Sequence, residues 1–577
     1  MSEKKSRKRK TSISNDIGEK KLDVEKKDEF ASYWEAKVDS VVSAELKDGR
    51  NRRKNSICFT LPTLGECSYL PGLRNSFELN VDSIVNPDSV NWNETLVENF
   101  KKEIGNSEAI NHMEASSFLT IISRYVDLSA ITSSSDTYRT VYCAHILSHL
   151  IRSKNLIINN KRKMDIASAL GGVSEEFVES SRDQGFVRPS VLIMCPYKKD
   201  AYDVVNRLRR LIYGDENGDV WNKSRFEEEY SGPEEAAALW ANVPEDHKEL
   251  LIGNNDDTFR LGLALSKKTL KLYEKFDKSD ILLCSPLGLR MILNGDEGNE
   301  AHLLSSIQLV VVDRADLMLQ QNWEHVQLIF SHLNNLPAKI DMDISRVRRV
   351  YLEGNGRHFS QLMLFSRYAH ELFTALVLEN STNHRGVALN TPKQAGTLEK
   401  IEVPLCQELH SFNVPNPEHV SEERWKYFCD KIVPGLVPRT CIVVPSYFDF
   451  VRMRNYLKKA EESFVACHEY APKKKVLRAR DMFYHERKSY LLVTERFYFF
   501  NRRPLRGIRR LIFYQIPSHP ALYSEFINMS ESSDSKRFLA ILLYCKLDRI
   551  RLQNTFGTEM AAGILASPQK VQAIVSE

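Results

Sequence analysis

Three absences narrow the class of this 577-residue chain. No stretch approaches the roughly 18 consecutive apolar residues that a membrane-spanning helix needs. The ten cysteines include no CxxC pair and no cluster with histidine at zinc-site spacing, so we expect no metal site. The first residues, MSEKKSRKRK, contain no apolar segment like that of a secretory signal, and we therefore expect the cysteines to be reduced thiols.

Glycines are missing where a nucleotide-binding protein needs them. The phosphate-loop pattern GxxxxGKS/T occurs nowhere, and no glycine lies between Gly105 and Gly171, upstream of a predicted strand at 190–196. Without glycines a turn cannot close around a pyrophosphate and present its backbone amides to it. We therefore expect no nucleotide cofactor.

Short apolar strands alternate with helical segments over most of the chain. The predicted strands are SVLIMCP (190–196), DILLCSP (280–286), IQLVVVD (307–313), VRRVYL (347–352), TCIVVPS (440–446), SYLLVTE (489–495), RRLIFYQI (509–516) and FLAILLYC (538–545). Segments such as AYDVVNRLRRLI and FRLGLALSKKTLKLYEK are predicted helices between them. Fully apolar strands that alternate with helices indicate parallel sheets covered on both faces.

These patterns predict an α/β fold of two tandem RecA-like (helicase-type) parallel-sheet domains. The predicted parts are a disordered basic arm at 1–29, a mainly helical N-terminal extension at 30–130, a first domain at 131–395 and a second at 396–577. An acidic insertion at about 213–257 is expected to be a surface excursion of the first domain. Its glutamates 227–229 are expected to be solvated, because adjacent carboxylates on a helix point in different directions.

His145 and His149 lie four residues apart on one predicted helix. They lack the glutamate of an HExxH zinc site and an evident third ligand. We interpret both as helix-packing histidines.

The tetrad Asp313-Arg314-Ala315-Asp316 follows an apolar strand and has the layout of the metal-and-base motif of DEAD-box helicases. In a working enzyme of this kind, the first Asp holds the Mg²⁺ shell and the next residue, a Glu, orients the attacking water. Arg314 stands in place of that Glu and cannot accept a proton. The tetrad therefore indicates a decayed nucleotide motif without a catalytic residue.

Two further helicase elements are missing from the sequence. After the strand predicted at 347–352, Leu352-Glu353-Gly354 stands where Ser-Ala-Thr is expected. The later segment HPALYSEFINMSESSDSK, where an arginine finger is expected, has no arginine before Arg537. Both losses agree with a scaffold that does not hydrolyse ATP.

Long strings in both predicted domains resemble the digestive organ expansion factor family. They are GNNDDTFRLG (253–262), SDILLCSPLGLR (279–290), QNWEHV (321–326), VPSYFDFVRMRNYLKK (444–459) and TERFYFFNRRPLRGIRRLIFYQIP (494–517). The resemblance covers about Tyr138 to the C-terminus and implies a DEAD-box-like fold with decayed nucleotide motifs. It also implies a nucleolar protein of the small-subunit processome, associated with the U-three small nucleolar RNA and needed to mature small-subunit ribosomal RNA. Other members carry a long acidic N-terminal region, where this chain has a short basic arm.

The net charge is only +4, so any RNA contacts should come from local patches. In DEAD-box proteins the turns after the strands grip the RNA backbone, and here such turns carry cations and aromatics suited to phosphate contact and stacking. The most basic stretch, 496–510, is expected to face out, and the cations of 473–480 can extend it. The RNA- or partner-binding candidates are Lys198, Lys199, Arg290, Arg452, Arg454, Arg496, Arg502, Arg503, Arg506, Arg509 and Arg510. The alternatives are that Lys198 and Lys199 are solvated helix-start charges and that aromatics such as Tyr447 pack the domain.

A compact basic cluster near the N-terminus predicts a nuclear import signal, with a solvated tail as the alternative. Its members are Lys4, Lys5, Arg7, Lys8, Arg9 and Lys10. The expected location is the nucleus and nucleolus.

Three functional hypotheses remain. The first is a non-catalytic ribosome-biogenesis factor, a helicase-shaped scaffold that binds pre-rRNA, the U-three small nucleolar ribonucleoprotein and processome proteins, with no cofactor and no membrane. The alternative is a divergent ATP-dependent DEAD-box RNA helicase. A Rossmann-type transferase would need a glycine fingerprint after the first strand, where the sequence reads CPYKKD.

Overall fold

The structure is a computed structural model. It describes residues 28–73, 79, 84–170, 172, 174–214, 218–232, 244–266, 269–294, 300–340, 343–403, 405–530 and 538–576. The predicted import cluster, residues 4–10, lies outside the described residues. Over the part that is described, no helix combines the length and the apolar character needed to cross a membrane.

The first sheet contains eleven strands. They are β1 (Ile57–Leu61), β2 (Gly65–Leu70), β3 (Asp127–Ile131), β4 (Val191–Met194), β5 (Asp219–Trp221), β6 (Arg260–Leu265), β7 (Thr269–Leu272), β8 (Ile281–Cys284), β9 (Leu309–Val312), β10 (Gln361–Ser366) and β11 (Val387–Asn390). Their order across the sheet is β1-β2-β11-β3-β10-β9-β4-β8-β6-β7-β5. The six central strands, β11 to β8, are parallel. Every residue of β4, β8, β9 and β10 is buried, as expected where helices cover both faces.

Helices cover this sheet on both sides. They are α1 (Glu29–Trp34), α2 (Ser40–Lys47), α3 (Gly49–Lys54), α4 (Glu94–Asn106), α5 (His112–Ile122), α6 (Ser135–Ala169), α7 (Glu175–Ser180), α8 (Lys198–Tyr213), α9 (Lys223–Tyr230), α10 (Glu245–Leu251), α11 (Pro286–Leu293), α12 (Ala315–His332), α13 (Arg349–Leu352) and α14 (Glu371–Asn380). On the buried half of α6, His145 Nε2 lies 2.9 Å from Gln361 Oε1, and His149 Nε2 lies 2.8 Å from Gln308 Oε1. The packing role predicted for both histidines is confirmed.

The second sheet contains seven strands. They are β12 (Leu405–Ser411), β13 (Thr440–Val444), β14 (Phe464–Cys467), β15 (Tyr490–Thr494), β16 (Arg510–Phe513), β17 (Leu539–Tyr544) and β18 (Val571–Ser576), in the order β14-β15-β13-β16-β17-β12-β18. Only β18 runs antiparallel to its neighbour. The helices are α15 (Val420–Tyr427), α16 (Tyr447–Lys459), α17 (Lys473–Tyr484), α18 (Glu495–Asn501), α19 (Ala521–Asn528), α20 (Arg549–Phe556) and α21 (Thr558–Ala566). The predicted pair of tandem α/β domains with parallel sheets is confirmed.

The N-terminal region is built into the first sheet. β1 and β2 form a hairpin, and β2 pairs with β11. β3 lies in the parallel centre, between β11 and β10. The stretch predicted as an extension, 30–130, thus supplies three strands of the first sheet.

The strand predicted at 347–352 is wrong. α13 occupies its second half, and the parallel strand beside β9 is β10. Val347 and Tyr351 lie four residues apart and are both buried beside Phe186. A short apolar run with this spacing fits one face of a helix as well as it fits a strand, and length alone does not separate the two.

The helix predicted over FRLGLALSKKTLKLYEK is also wrong, because this segment forms the hairpin of β6 and β7. Leu261, Leu263 and Leu265 recur with a period of two, which is the spacing of one face of a strand. Ser266 N donates to Thr269 O at 2.9 Å and closes the turn. The helix predicted over AYDVVNRLRRLI is confirmed as part of α8.

Candidate functional site

Asp313 follows the central strand β9 and is completely buried. Its carboxylate accepts four hydrogen bonds from α6, of which the longest runs from Arg139 Nη2 to Oδ1 at 3.2 Å. Tyr138 Oη lies 2.8 Å from Oδ1, while Arg139 Nε and Tyr142 Oη lie 2.7 and 2.9 Å from Oδ2. In a working P-loop enzyme this aspartate belongs to the metal shell. Here the guanidinium of Arg139 and the phenols of Tyr138 and Tyr142 donate hydrogen bonds to that carboxylate instead.

Arg139 is the cation at the centre of this cluster. Besides Asp313, its Nη2 donates to Asp200 Oδ1 at 2.7 Å and its Nη1 donates to Asp203 Oδ2 at 3.1 Å. Burial alone would lower the pKa of Arg139, but Asp313 and Asp200 raise it above its ordinary value. The fixed charge of Arg139 therefore neutralises the carboxylates that a metal ion would otherwise have to neutralise.

The turn between β3 and α6 lies where a phosphate loop is expected, at the carboxyl end of a central parallel strand. Thr132 Oγ1 donates to Glu114 Oε1 at 2.6 Å, and Ser134 N donates to Thr132 Oγ1 at 3.1 Å. Glu114 is buried. The turn thus has a carboxylate beside it and no glycine, and both features oppose the binding of a phosphate.

Arg314, the residue in place of the catalytic Glu, starts α12 in the left-handed conformation, with φ 59° and ψ 54°. Its Nε lies 3.2 Å from Asp316 Oδ1, and its Nη2 lies 3.0 Å from Asp316 Oδ2. Burial alone would lower the pKa of Arg314, but Asp316 raises it. The left-handed backbone costs about 1 kcal/mol for a residue with a side chain, and this double contact offsets the cost.

The sequence assignment of the third helicase element is wrong, because the strand that precedes it was misplaced. β10 ends at Ser366, so Ser366-Arg367-Tyr368 stands at the end of the strand. Ser366 Oγ donates to Tyr368 O at 2.7 Å, and Arg367 N lies 3.4 Å from Asp316 Oδ1. The turn after β10 therefore keeps a contact with the tetrad.

One described part of the acidic insertion, α10, is not a surface excursion, because it lies at the boundary between the domains. Leu250 belongs to the main hydrophobic cluster of the second domain. Asp246 accepts from Arg502 Nη2 at 2.7 Å. Lys199 Nζ donates to the carbonyls of Leu250 and Ile252, both at 3.0 Å, at the end of the helix. The insertion is held here because α10 offers an apolar side chain and carboxylates that both domains contact.

The glutamates of α9, in contrast, lie partly in solvent. Glu227 and Glu228 are exposed, as the sequence predicts. Glu229 is half-buried and accepts from Tyr273 Oη at 2.8 Å.

Arginines at the domain boundary are paired with carboxylates. The pairs are Arg314 with Asp316, Arg367 with Glu249, Arg502 with Asp246 and Glu525, and Arg551 with Glu371. A cavity of about 620 Å³ remains between the domains, with Arg314 and Arg367 in its wall. A triphosphate that used Arg314 or Arg367 would have to displace the carboxylate paired with that arginine.

Arg551 is an arginine that sequence reasoning missed at this boundary. The segment after β16 brings Ser518 N and His519 N to Glu495, at 3.0 and 2.9 Å, and supplies no arginine within its described part. Arg551 Nε of α20 reaches Glu371 Oε1 of the first domain at 2.8 Å instead. Its role there is to pair the domains.

Three of the predicted RNA contacts are engaged with other groups of the protein. Lys198 Nζ lies 2.8 Å from Asp256 Oδ2, and Lys199 holds α10. Arg452 donates to both carboxylate oxygens of Glu422, at 2.8 and 2.7 Å. Burial lowers the pKa of Lys199 to about 8.

Other predicted contacts are half-buried, and two of them meet across the boundary. Arg454 is half-buried. Arg290 and Arg496, from different domains, are half-buried and both depress the pKa of His325, whose burial is the larger cause. The structure thus brings Arg290 and Arg496 to one region.

The prediction that the whole stretch 496–510 faces out is wrong for Arg502. Its side chain is completely buried, because Asp246 of α10 and Glu525 of α19 both pair with it. Phe497, Tyr498 and Phe499 are buried as well. The exposed arginines of the stretch are Arg503, Arg506 and Arg509, while Arg510 is half-buried and donates to Gly435 O at 2.6 Å.

Sequence reasoning also missed Tyr138, Arg139 and Tyr142. A signal was present in their spacing, since Tyr142 is a neighbour on the helix surface of both Tyr138, four residues before it, and Arg139, three residues before it. Across the described residues, no group of three or more His, Cys, Asp or Glu is placed to hold a metal ion.

Comparison with known proteins adds two matching family models. The model described as "UTP25, NTP hydrolase-like domain" matches residues 125–388, and the model described as "Utp25, C-terminal domain" matches residues 397–574.

Several relatives are similar over most of the chain. The U3 small nucleolar RNA-associated protein 25 homolog of Mus musculus is 37% identical over 452 residues, which cover 76% of this chain and 58% of the relative. The U3 small nucleolar RNA-associated protein 25 of Schizosaccharomyces japonicus is 31% identical over 571 residues, which cover 95% of this chain and 86% of the relative. The chain thus spans about three-fifths of the mouse protein, at 58%, and most of the yeast one.

Among solved structures, the yeast DEAD-box splicing factor Prp28 is similar at 12% identity over 93% of this chain and 98% of that chain, with a TM-score of 0.30. A score of this size supports no transfer of function. The α/β fold stands on the two sheets themselves.

Proposed function

The chain belongs to the Utp25 family, and we propose from this membership that it is a non-catalytic factor of small-subunit ribosome biogenesis. It acts as a helicase-shaped scaffold of the small-subunit processome and binds pre-rRNA, the U3 small nucleolar ribonucleoprotein and neighbouring proteins. Its place of action is the nucleus and nucleolus. Relatives whose names call them U3 small nucleolar RNA-associated support this proposal.

The observation that carries the non-catalytic part is the contact of Arg139 with Asp313. A magnesium nucleotide would need Asp313 free, which means expelling the guanidinium and leaving it buried without this partner. Removing one partner of a buried ion pair costs about 3–5 kcal/mol. That cost lowers nucleotide affinity by roughly two to four orders of magnitude.

The second support is the residue in place of the base. Arg314 is paired with Asp316 and keeps its proton. It therefore cannot accept a proton from a water molecule and orient that molecule for attack. The protein therefore lacks both the metal ligand and the group that activates water.

The RNA-binding part of the proposal rests on cations that the fold leaves accessible. Arg503, Arg506 and Arg509 are exposed, and such side chains can neutralise phosphates without breaking an internal ion pair. The Lys198, Lys199 and Arg502 side chains form contacts within the protein and contribute to its shape instead, while Arg452 pairs with Glu422 at the surface.

The alternative, an ATP-dependent RNA helicase, is tested by nucleotide binding. The full chain is titrated with a fluorescent ATP analogue in Mg²⁺, and phosphate release is then measured with RNA present. We expect no saturable binding in the micromolar range and no hydrolysis above background. A saturable signal that Asp313→Ala abolishes would overturn the proposal. Asp183→Ala removes another buried, arginine-paired carboxylate, in the loop before β4, and controls for loss of folding.

A further inference from the structure

The loop 503–509 lies against α17 on the second domain. Arg480 Nη2 of α17 donates to Pro504 O at 2.7 Å. Gly507 has φ +88°, and a Cβ there would lie 3.3 Å from Tyr484 Cα. The basic run of α17 and the arginine loop therefore form one surface, which we call the α17 surface: the exposed side chains of 473–485 and 503–509.

The α17 surface is strongly positive. α17 contains five cations and a single acid, Asp481, which lies 3.4 Å from His485, and 503–510 contains four arginines and no acid. The exposed cations are Lys473, Lys474, Lys475, Arg478, Arg503, Arg506 and Arg509. Within the described ranges, no carboxylate forms an ion pair with any of the seven. Their positive potential is therefore available to a polyanion from solvent.

Exposed apolar groups lie among these charges. Leu477 is 55% exposed and Tyr484 is 43% exposed, two helical turns apart on the same face of α17. Near the start of the loop, Phe500 is 39% exposed. An accessible ring beside cations offers a stacking platform for an unpaired base, which a base inside a duplex cannot use.

The α17 surface lies outside the boundary between the domains. α17 packs on β14 and β15, and β14 is the edge strand of the second sheet. The boundary is built by other elements: Glu495 of α18, Glu525 of α19 and Arg551 of α20 make its contacts, directly or through Arg502. The α17 surface can therefore be occupied while α10 fills the space between the domains.

We infer that the α17 surface binds single-stranded RNA, with its seven cations on the phosphates and Tyr484 against a base. This rests on the proposed function, and it places RNA on the outer flank of the second domain. Cations interleaved with an exposed ring favour RNA over an acidic protein segment, because a segment of carboxylates would use the charges and leave the ring without a partner.

The test measures the affinity of the full chain for a labelled 20-nucleotide single strand of uridylates and for a blunt RNA duplex, at several salt concentrations. The test variant is Arg478→Gln/Arg503→Gln/Arg506→Gln. The matched control is Lys161→Gln/Arg162→Gln/Lys163→Gln, which removes the same charge from exposed positions on α6. Tyr484→Ala and Tyr484→Phe separate stacking from charge.

Each phosphate contact on a single strand contributes about 0.7 to the slope of log K against log salt. The test variant should therefore lose about 2 from the slope and weaken binding on the order of 100-fold at 0.1 M salt, while the control changes little. Tyr484→Ala should weaken single-strand binding on the order of tenfold and leave duplex binding unchanged. Tyr484→Phe should retain affinity.

Equal losses in both triple variants would reduce the effect to net charge and overturn the inference. Competition by poly-glutamate as strong as competition by RNA would assign the surface to an acidic protein. Wild-type affinity in the test variant would overturn the inference that the α17 surface binds RNA. The proposed function would still stand. If the wild-type chain binds no RNA but hydrolyses ATP, the proposed function itself is overturned.

Discussion

The Nε of Arg139 lies 2.7 Å from Oδ2 of Asp313, and the two side chains are 8% and 0% exposed. An internal cation thus occupies the carboxylate that holds the metal shell in a working motor. The pair is also part of the core, since Tyr138 and Tyr142 donate to the same carboxylate from completely buried positions. Substitution of Arg139 or Asp313 alone leaves a buried charge without its partner. It therefore restores neither a metal site nor a neutral core.

The first prediction follows from that pairing. Arg139→Gln leaves Asp313, Asp200 and Asp203 without their shared cation, and should lower the free energy of unfolding by about 3–5 kcal/mol. Asp313→Asn should also destabilise. The double variant should lose less than the sum of the two, because both remove the same interaction. Denaturant unfolding of the four proteins measures this coupling, and strict additivity would contradict it.

The second prediction uses two neighbouring arginines with opposite surroundings. Arg502 is completely buried between Asp246 and Glu525, whereas Arg503 is exposed. Arg502→Gln should lower the unfolding free energy by about 3–5 kcal/mol. Arg503→Gln should stay within about 0.5 kcal/mol of the wild type. Thermal unfolding of the two variants side by side is the measurement, and similar melting temperatures would show that Arg502 does not hold the domains together.

The third prediction concerns acid. Burial lowers the pKa of His145 to about 4 and those of His149 and His384 to about 3. As pH falls below the ordinary histidine pKa of about 6.5, the unfolded chain binds protons that the folded chain does not, so stability falls by about 1.4 kcal/mol per pH unit for each histidine. Asp127, with a pKa that burial raises to about 6, acts in the opposite direction over part of this range. Three histidines outweigh it, and the melting temperature should fall between pH 7 and pH 5.

Histidine variants isolate this contribution. His149→Gln should make the pH dependence of unfolding shallower by about 1.4 kcal/mol per pH unit below pH 6. His485→Gln, at an exposed position, is the control and should keep the wild-type profile. An unchanged profile in His149→Gln would mean that other groups cause the acid sensitivity.

The fourth prediction concerns the basic cluster at residues 4–10. Deleting residues 2–10 should weaken nuclear entry and leave thermal stability unchanged, since the segment has no apolar residue that could join a core. Imaging of the tagged, truncated protein checks entry, and an unfolding curve checks stability. Full nucleolar signal would assign import to a partner or to another basic patch.

Local patterns predicted the parallel strands and the tetrad because each has a short-range signature. β9 is a run of apolar residues that is followed by an aspartate, and α8 has the period of an amphipathic helix. The strand at 347–352 failed because a four-residue apolar spacing is compatible with two structures. The sequence alone also placed Lys198 and Arg452 among possible RNA contacts, but it did not reveal that each is paired with a carboxylate, Asp256 and Glu422.

Long-range pairings were beyond the same reasoning. Asp246 and Arg502 are 256 positions apart, and Asp313 and Arg139 are 174 apart. Composition shows that a stretch is rich in arginine, but which arginine is buried depends on a carboxylate that another domain brings to it. The position of α10 could not be predicted for the same reason. The sequence of an acidic insertion does not show which surface of the protein it packs against.

α10 and the domain boundary that it contacts belong to the same chain. When α10 detaches, its local concentration at the boundary therefore stays high. A segment held by a short tether competes at an effective concentration on the order of millimolar. A dissolved partner that offers carboxylates to Arg502 and Arg367 competes with the helix. It replaces the helix only if its concentration divided by its Kd exceeds the same ratio for α10. Inside a large assembly the balance differs, because a neighbour anchored nearby has a comparable local concentration. Replacement of α10 at these arginines therefore favours a neighbour fixed beside the boundary over a dissolved ligand.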